Sequence, residues 1–262
     1  MFFDQNVRVC IMTDRNKEQQ MDASSSSMAE ASRSRASFSG HGGSLGASGY
    51  RVAANNPANC EFLNEPGQSI ALSPQDRGFE GITIGVAWDN IQVQESGFFG
   101  KMFKKMRNVG VDLDIGCLYE LQDGTRGAIQ AFGEKFGSYD TAPFMQLSGD
   151  ERTGDKEGHD EEILVNGEHW DKIKRILVYI YIYEGAARWS EINPQIILDV
   201  PGEDDLVVTL GAHNDALALC AVGGLENVRG GIVLTNYTEY FPGHAEMDRA
   251  FGFGLPWEDG KK

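Results

Sequence analysis

The sequence predicts an all-β protein: a β-sandwich with short peripheral helices, preceded by a disordered N-terminal tail. Three observations carry that expectation. Short apolar segments with a period of two recur between residues 69 and 235, and turn residues separate them. Helical spacing is confined to brief stretches. The first fifty-odd residues are too polar and small to build a core, so the chain divides into a Ser/Gly-rich tail (1–57) and a β domain (58–262).

Within the tail, Ser24 to Ser27 and Ser39-Gly40-His41-Gly42-Gly43-Ser44 are low in complexity, and the apolar patch Val7–Met12 is left without assigned structure. Order begins near Cys60–Leu63. Asn64-Glu65-Pro66-Gly67 turns the chain into a short strand at Ser69–Leu72. Ile82, Ile84, Val86 and Trp88 alternate with smaller residues, the mark of a half-buried strand. From Glu95 to Asn108, Phe99, Met102, Phe103 and Met106 fall at helical spacing among Lys101, Lys104, Lys105 and Arg107. Such a basic amphipathic segment suits docking to a membrane surface or a partner, with Phe99, Lys101, Met102, Phe103, Lys104 and Lys105 as the contacts. A lid packed on its own domain has the same composition. Next, Leu113, Ile115, Cys117 and Tyr119 share one face of a strand, which puts Asp112 and Asp114 on the other. Asp123-Gly124 is a hairpin turn leading back through Gly127–Gln130.

Beyond the loop 149–162, Ile163–Val165 and Arg175–Tyr183 read as strands. In the second, Ile176, Val178, Ile180 and Ile182 alternate with Leu177 and three tyrosines, as in a central strand covered on both sides. Glu184–Trp189 reads as a helical turn. Strands are expected at Gln195–Val200, Leu206–Leu210, Leu217–Val222 and Gly231–Thr235, and a helix at His244–Phe251. His169 and His244 read as surface or capping residues, and His213 as a turn residue.

The 262 residues carry a formal net charge of −16. Residues 1–50 hold five acidic and five basic side chains, so the excess lies in the β domain, and nucleic acid is not an expected partner. The four cysteines are widely spaced and suit a reducing compartment; Cys117 and Cys220 read as core residues. With no secretory signal and no apolar run long enough for a membrane span, the expected location is cytoplasmic.

Seven carboxylates (Asp150, Glu151, Asp155, Glu157, Asp160, Glu161 and Glu162) crowd the fourteen residues from Gly149 to Glu162. A glycine-bearing loop dense in hard oxygen donors fits Ca²⁺, which accepts six to eight oxygens in irregular geometry. The spacing is not that of an EF-hand. A solvated hairpin tip has the same composition, as does an acidic surface that docks a basic protein. Asp112 and Asp114, side by side at a strand start, form a second acidic element. There is no phosphate loop and no Gly-x-Ser-x-Gly, so catalysis is not expected, and metal-dependent hydrolysis stays a lesser alternative.

Several blocks together resemble the TerD-domain tellurite-resistance and stress proteins. They are Gly85-Val86-Ala87-Trp88-Asp89, Asp112-Leu113-Asp114, Gly149-Asp150-x-Arg152-Thr153-Gly154 and Gly158-x-Asp160-Glu161. Ile182–Trp189 and Tyr240–Gly254 are similar to the TerA branch of that family. The resemblance spans roughly residues 60–262. It implies a β-sandwich that binds Ca²⁺ at one end, as a non-enzymatic part of a cytoplasmic or membrane-peripheral complex with other Ter-type stress proteins. The implied ligand positions are Asp112, Asp114, Asp150, Thr153 by its carbonyl, Asp155, Glu157, Asp160 and Glu161. The loop departs from the usual pattern at Glu151, Lys156 and His159, which weakens the case for a second calcium ion.

Overall fold

The period-two segments become the strands of two sheets that face each other across a shared apolar core. The computed structural model describes residues 10–12, 60–74, 78–88, 91–94, 106–109, 111–148, 161–184 and 188–259. In chain order come β1 (Cys10–Met12), β2 (Cys60–Leu63), β3 (Ser69–Leu72) and β4 (Ile82–Ala87). β5 (Ile91–Gln94) and β6 (Met106–Val109) pair with each other, outside both main sheets. β7 (Asp112–Leu121) turns at Asp123 and Gly124 into β8 (Arg126–Ile129), with the Thr125 amide donating to Asp123 Oδ1 at 2.9 Å.

After β9 (Gly137–Ser138), β10 (Met145–Leu147) and β11 (Glu161–Val165) comes the long β12 (Ile173–Glu184). Helix α1 (Trp189–Ile192) precedes β13 (Gln195–Asp199) and β14 (Asp205–Thr209). β15 (Leu219–Val228) and β16 (Gly231–Phe241) form a hairpin, followed by helix α2 (His244–Phe251) and β17 (Trp257–Asp259).

One sheet has seven strands in the order β2-β14-β13-β4-β11-β10-β9, and the other has six in the order β3-β16-β15-β12-β7-β8. Every pairing is antiparallel except β14 with β2. The core follows from the alternation. Ile82, Ile84 and Val86 of β4 meet Leu113, Ile115 and Cys117 of β7 and Ile176, Val178, Ile180 and Ile182 of β12. Burying each such side chain stabilises the fold by about 1.5–3 kcal/mol relative to exposure.

The six-stranded sheet is covered on its other side as well. Leu177, Tyr179 and Tyr181 join Leu118, Leu219, Phe241, Met247 and Phe253 in a second apolar cluster. The two-sided covering expected for β12 is therefore present, and α2 with the chain after it supplies the outer layer. Gly116 has a steric role there, because a Cβ at that position would collide with the Tyr179 ring.

Four expectations change. Met106 and Arg107, placed in a helical pattern that runs to Asn108, lie in β6 paired with β5, because tertiary pairing overrides a local spacing. Residues 10–12, in the patch Val7–Met12 left without assigned structure, form β1 against β17. The helical turn sits at Trp189–Ile192 rather than starting at Glu184, which ends β12. His244 is not a surface or capping residue: it is 2 % exposed, beneath the C-terminal segment. The predicted docking residues Phe99, Lys101, Met102, Phe103, Lys104 and Lys105 lie outside the described residues.

Candidate metal centre

The site is built from the start of β7, the start of β11 and the end of β12. In β7 the register with β12 sets Asp114 opposite Tyr181 and Ile115 opposite Ile180. Leu113 and Ile115 point into the inter-sheet core, so Asp114 points to the outer face, as the alternation requires. That face is packed, and Asp114 is only 4 % exposed.

Glu161 starts β11 in the opposite sheet, where it pairs with Val86. It occupies an inward position in line with Ile163 and Val165, at the rim of the core. Its side chain crosses to the other sheet, and Oε2 accepts the Ile115 amide at 2.9 Å. Glu161 thereby ties the two sheets together at the residue next to Asp114. The two carboxylates act on a common neighbour. Burial pushes the Tyr181 hydroxyl far above its usual range, and the charges of Asp114 and Glu161 add to the rise. Negative charge is therefore concentrated in a dry corner of the molecule, where Coulomb terms are screened least.

The entry and exit of the acidic loop are held at this same corner. Ser148 donates its amide to the Glu162 carbonyl at 2.9 Å and its hydroxyl to the same oxygen at 3.1 Å. Segment 149–160 therefore leaves and rejoins the fold at one point, beside Glu161. Asp150, Thr153, Asp155, Glu157 and Asp160 lie outside the described residues, as does the side chain of Asp112, although its backbone opens β7. Of the eight expected ligands, Asp114 and Glu161 are the two whose side chains the structure describes: Asp114 lies on the outer face of β7, and Glu161 reaches the Ile115 amide from the opposite sheet. Among the described residues, no three His, Cys, Asp or Glu side chains gather as a ready-made metal cluster. Asp114 and Glu161, among the described residues, offer carboxylate oxygens, the donor type that Ca²⁺ takes.

Sequence reasoning missed two polar centres on the outer face. The first is Glu120, at the far end of β7 and 3 % exposed. It accepts from Lys174 at 2.8 Å, Arg175 at 2.7 Å and Arg126 at 3.2 Å. Burial acts to raise its pKa. Hydrogen bonds from Lys174 and Arg175, with the charges of Arg175 and Arg126, overcome that and bring it down to about 2. Arg175 also donates to the Phe251 carbonyl at 2.9 Å and the Gly252 carbonyl at 3.2 Å, and Arg126 donates to the Phe253 carbonyl at 2.9 Å. Glu120 is thus the hub of a clasp on the end of α2. Its period-two alignment with Asp112 and Asp114 was the available signal.

The second centre is Asp248 of α2. It accepts from the Gly254 and Leu255 amides and from Trp257 Nε1, and so ties the chain after the helix back onto it.

Residues 64–194 match the family described as the TerD domain. The tellurium resistance protein TerA of Alcaligenes sp is 39% identical over 201 residues, 76% of this chain and 58% of that protein. TerX of Serratia marcescens is 28% identical over 45% of this chain and 61% of its own length. TerZ of Serratia marcescens is 34% identical over 38% of this chain and 48% of its own. The chain thus spans about half to three-fifths of the relatives it matches. Among solved structures, a homologue of the telluride resistance protein TerD from Streptomyces coelicolor A3(2) aligns with a TM-score of 0.43 at 14% identity. That alignment covers 68% of this chain and 100% of the other.

Proposed function

Because the chain belongs to the TerD-domain family of tellurium-resistance proteins, we propose that it is a calcium-binding, non-catalytic component of a tellurite and chemical-stress response. The observation that supports this reading is that Glu161, beside the point where the ends of the acidic loop are held, reaches across to the β7 backbone one residue from Asp114. In this reading Asp112, Asp114 and Glu161 offer carboxylates from the sandwich. Asp150, Thr153, Asp155, Glu157 and Asp160 supply the rest from the loop. A divalent cation offsets the repulsion among these groups, and the loop takes up a single arrangement around it. The calcium-ordered loop then serves as a docking surface for other Ter-type stress proteins in the cytoplasm. Phe99, Lys101, Met102, Phe103, Lys104 and Lys105 add a basic, apolar contact to a partner or to the inner face of the membrane.

Calorimetric titration of the chelator-treated full chain tests the proposal. Ca²⁺ is expected to give saturable heat with a defined stoichiometry, and Mg²⁺ a much weaker response, since it resists dehydration and demands a strict octahedron. No heat with Ca²⁺, alongside retained binding to a basic protein partner, would leave an acidic interaction module without a metal.

A further inference from the structure

Helix α2 begins with a histidine that the metal site does not use. His244 is 2 % exposed, and neither ring nitrogen has a hydrogen-bond partner. Its ring stacks on Trp257 with centroids 5.2 Å apart and an interplanar angle of 28°. It meets Tyr179 and Tyr181 of β12 edge-to-face at 5.2 and 5.4 Å. The imidazole therefore fills an aromatic box made by the sheet beneath and the last strand above.

We propose that His244 is a proton-operated latch: neutral, it seats the start of α2 on the six-stranded sheet, and protonated, it releases that end of the helix. Two features favour release over tolerance of the charge. The cation would be buried with no acceptor for either N–H, a cost of several kcal/mol. It would sit in the first turn of a helix, whose N-terminal amides already present positive potential. Against these stands a cation–π attraction from the box, worth about 2 kcal/mol or somewhat more when desolvated. Burial prevails, and desolvation brings the His244 pKa down to about 4.

The titratable neighbours do not reverse this. Tyr179 and Tyr181 are neutral phenols, with Tyr179 donating to Gln130 Oε1 at 2.6 Å. Asp114 and Glu161 act on Tyr181 from beyond the box. Asp248, one turn along α2, is occupied by the Gly254 and Leu255 amides and the Trp257 indole.

The sign follows from linkage. A histidine whose pKa is lower folded than unfolded stabilises docking fully above about 6.5 and progressively less as pH falls toward 4. Across that window the docking equilibrium falls by up to about 300-fold. The far end of α2 answers to a different acid, because the Glu120 clasp keeps its charge down to about pH 2. Acidification should therefore lift the helix from its first turn, pivoting about residues 251–253, and uncover Tyr179, Tyr181 and Phe241.

The test uses the full chain. NMR titration of the imidazole Cε1–H protons should show His244 titrating well below the ordinary histidine value of about 6.5. Hydrogen exchange, corrected for intrinsic rate, should rise at residues 243–250 between pH 7 and pH 4.5 while β7 and β12 stay protected. His244→Gln and His244→Phe should both abolish the acid-dependent rise, so failure of one variant to fold leaves the other to read. His244 titrating near pH 6.5 without opening of the helix would overturn the proposal. So would the same acid-dependent rise in a non-titrating variant.

Discussion

The two ends of β7 solve one problem in opposite ways. Asp114 and Glu120 lie on the same outward face of the same strand, and each is less than 5 % exposed. Glu120 is neutralised by the fold itself, through Arg126, Lys174 and Arg175, and its pKa is held near 2. Asp114 shares its corner with Tyr181 and the field of a second acid, Glu161, next to the point where an acidic loop is anchored. A buried carboxylate with intramolecular cations is a structural clasp. For a carboxylate in the field of another acid, added positive charge would lower the electrostatic cost of its own charge. On the proposed calcium-binding reading, the difference separates a residue that holds the protein together from one that would answer to an ion.

The comparison can be broken most strongly at its structural end. Glu120→Gln should lower unfolding stability by about 3 kcal/mol, toward the low end for breaking a buried pair because its partners reach solvent. It should also free residues 251–253, read by urea denaturation and by exchange at those amides. The same clasp sets an acid limit. Its stabilisation is full above about pH 4.5 and is lost as pH falls toward 2, so the mutant's deficit should shrink over that range.

At the other end the signs differ. Asp114→Asn should leave calcium-free stability within about 1 kcal/mol of wild type, because it removes one of two neighbouring negative charges. It should abolish the calcium-induced gain, which at a free concentration of a hundred times Kd is about 2.7 kcal/mol. In thermal melts that gain appears as a rise of roughly 5–10 °C. Equal losses from the two substitutions without calcium would erase the distinction. The smallest effect is expected from Glu161→Gln. Replacing a charged acceptor of the Ile115 amide by a neutral one should cost about 1 kcal/mol and weaken calcium binding, measured by the same melts.

Much of this could be read in the chain itself. The alternation of Leu113, Ile115 and Cys117 with Asp112, Asp114 and Gly116 predicted which side of β7 faces the core, because side-chain direction in a strand is a local property. The same reasoning gave β12 an aliphatic and an aromatic face, and the structure fills both. The basic stretch was misread at its end for the complementary reason. Met106 and Arg107 fit a helical spacing, but pairing of β6 with β5 decided their conformation. His244 was read as a surface residue because nothing local to a helix start foretells that Tyr179, Tyr181 and Trp257 will close around it.

What the sequence determined alone was therefore the sandwich, its inner face, and the acidic character of the loop and strand start, since each follows from periodicity or composition over a few residues. Only the tertiary structure decided that Glu161 reaches across to Ile115 beside Asp114, that Glu120 gathers three cations from two neighbouring strands, and that the histidine opening the last helix is sealed under Trp257. The Glu161–Ile115 and Glu120–Lys174 contacts join residues 46 and 54 positions apart. Their energies depend on desolvation and partner geometry, which exist only once the sheets have packed.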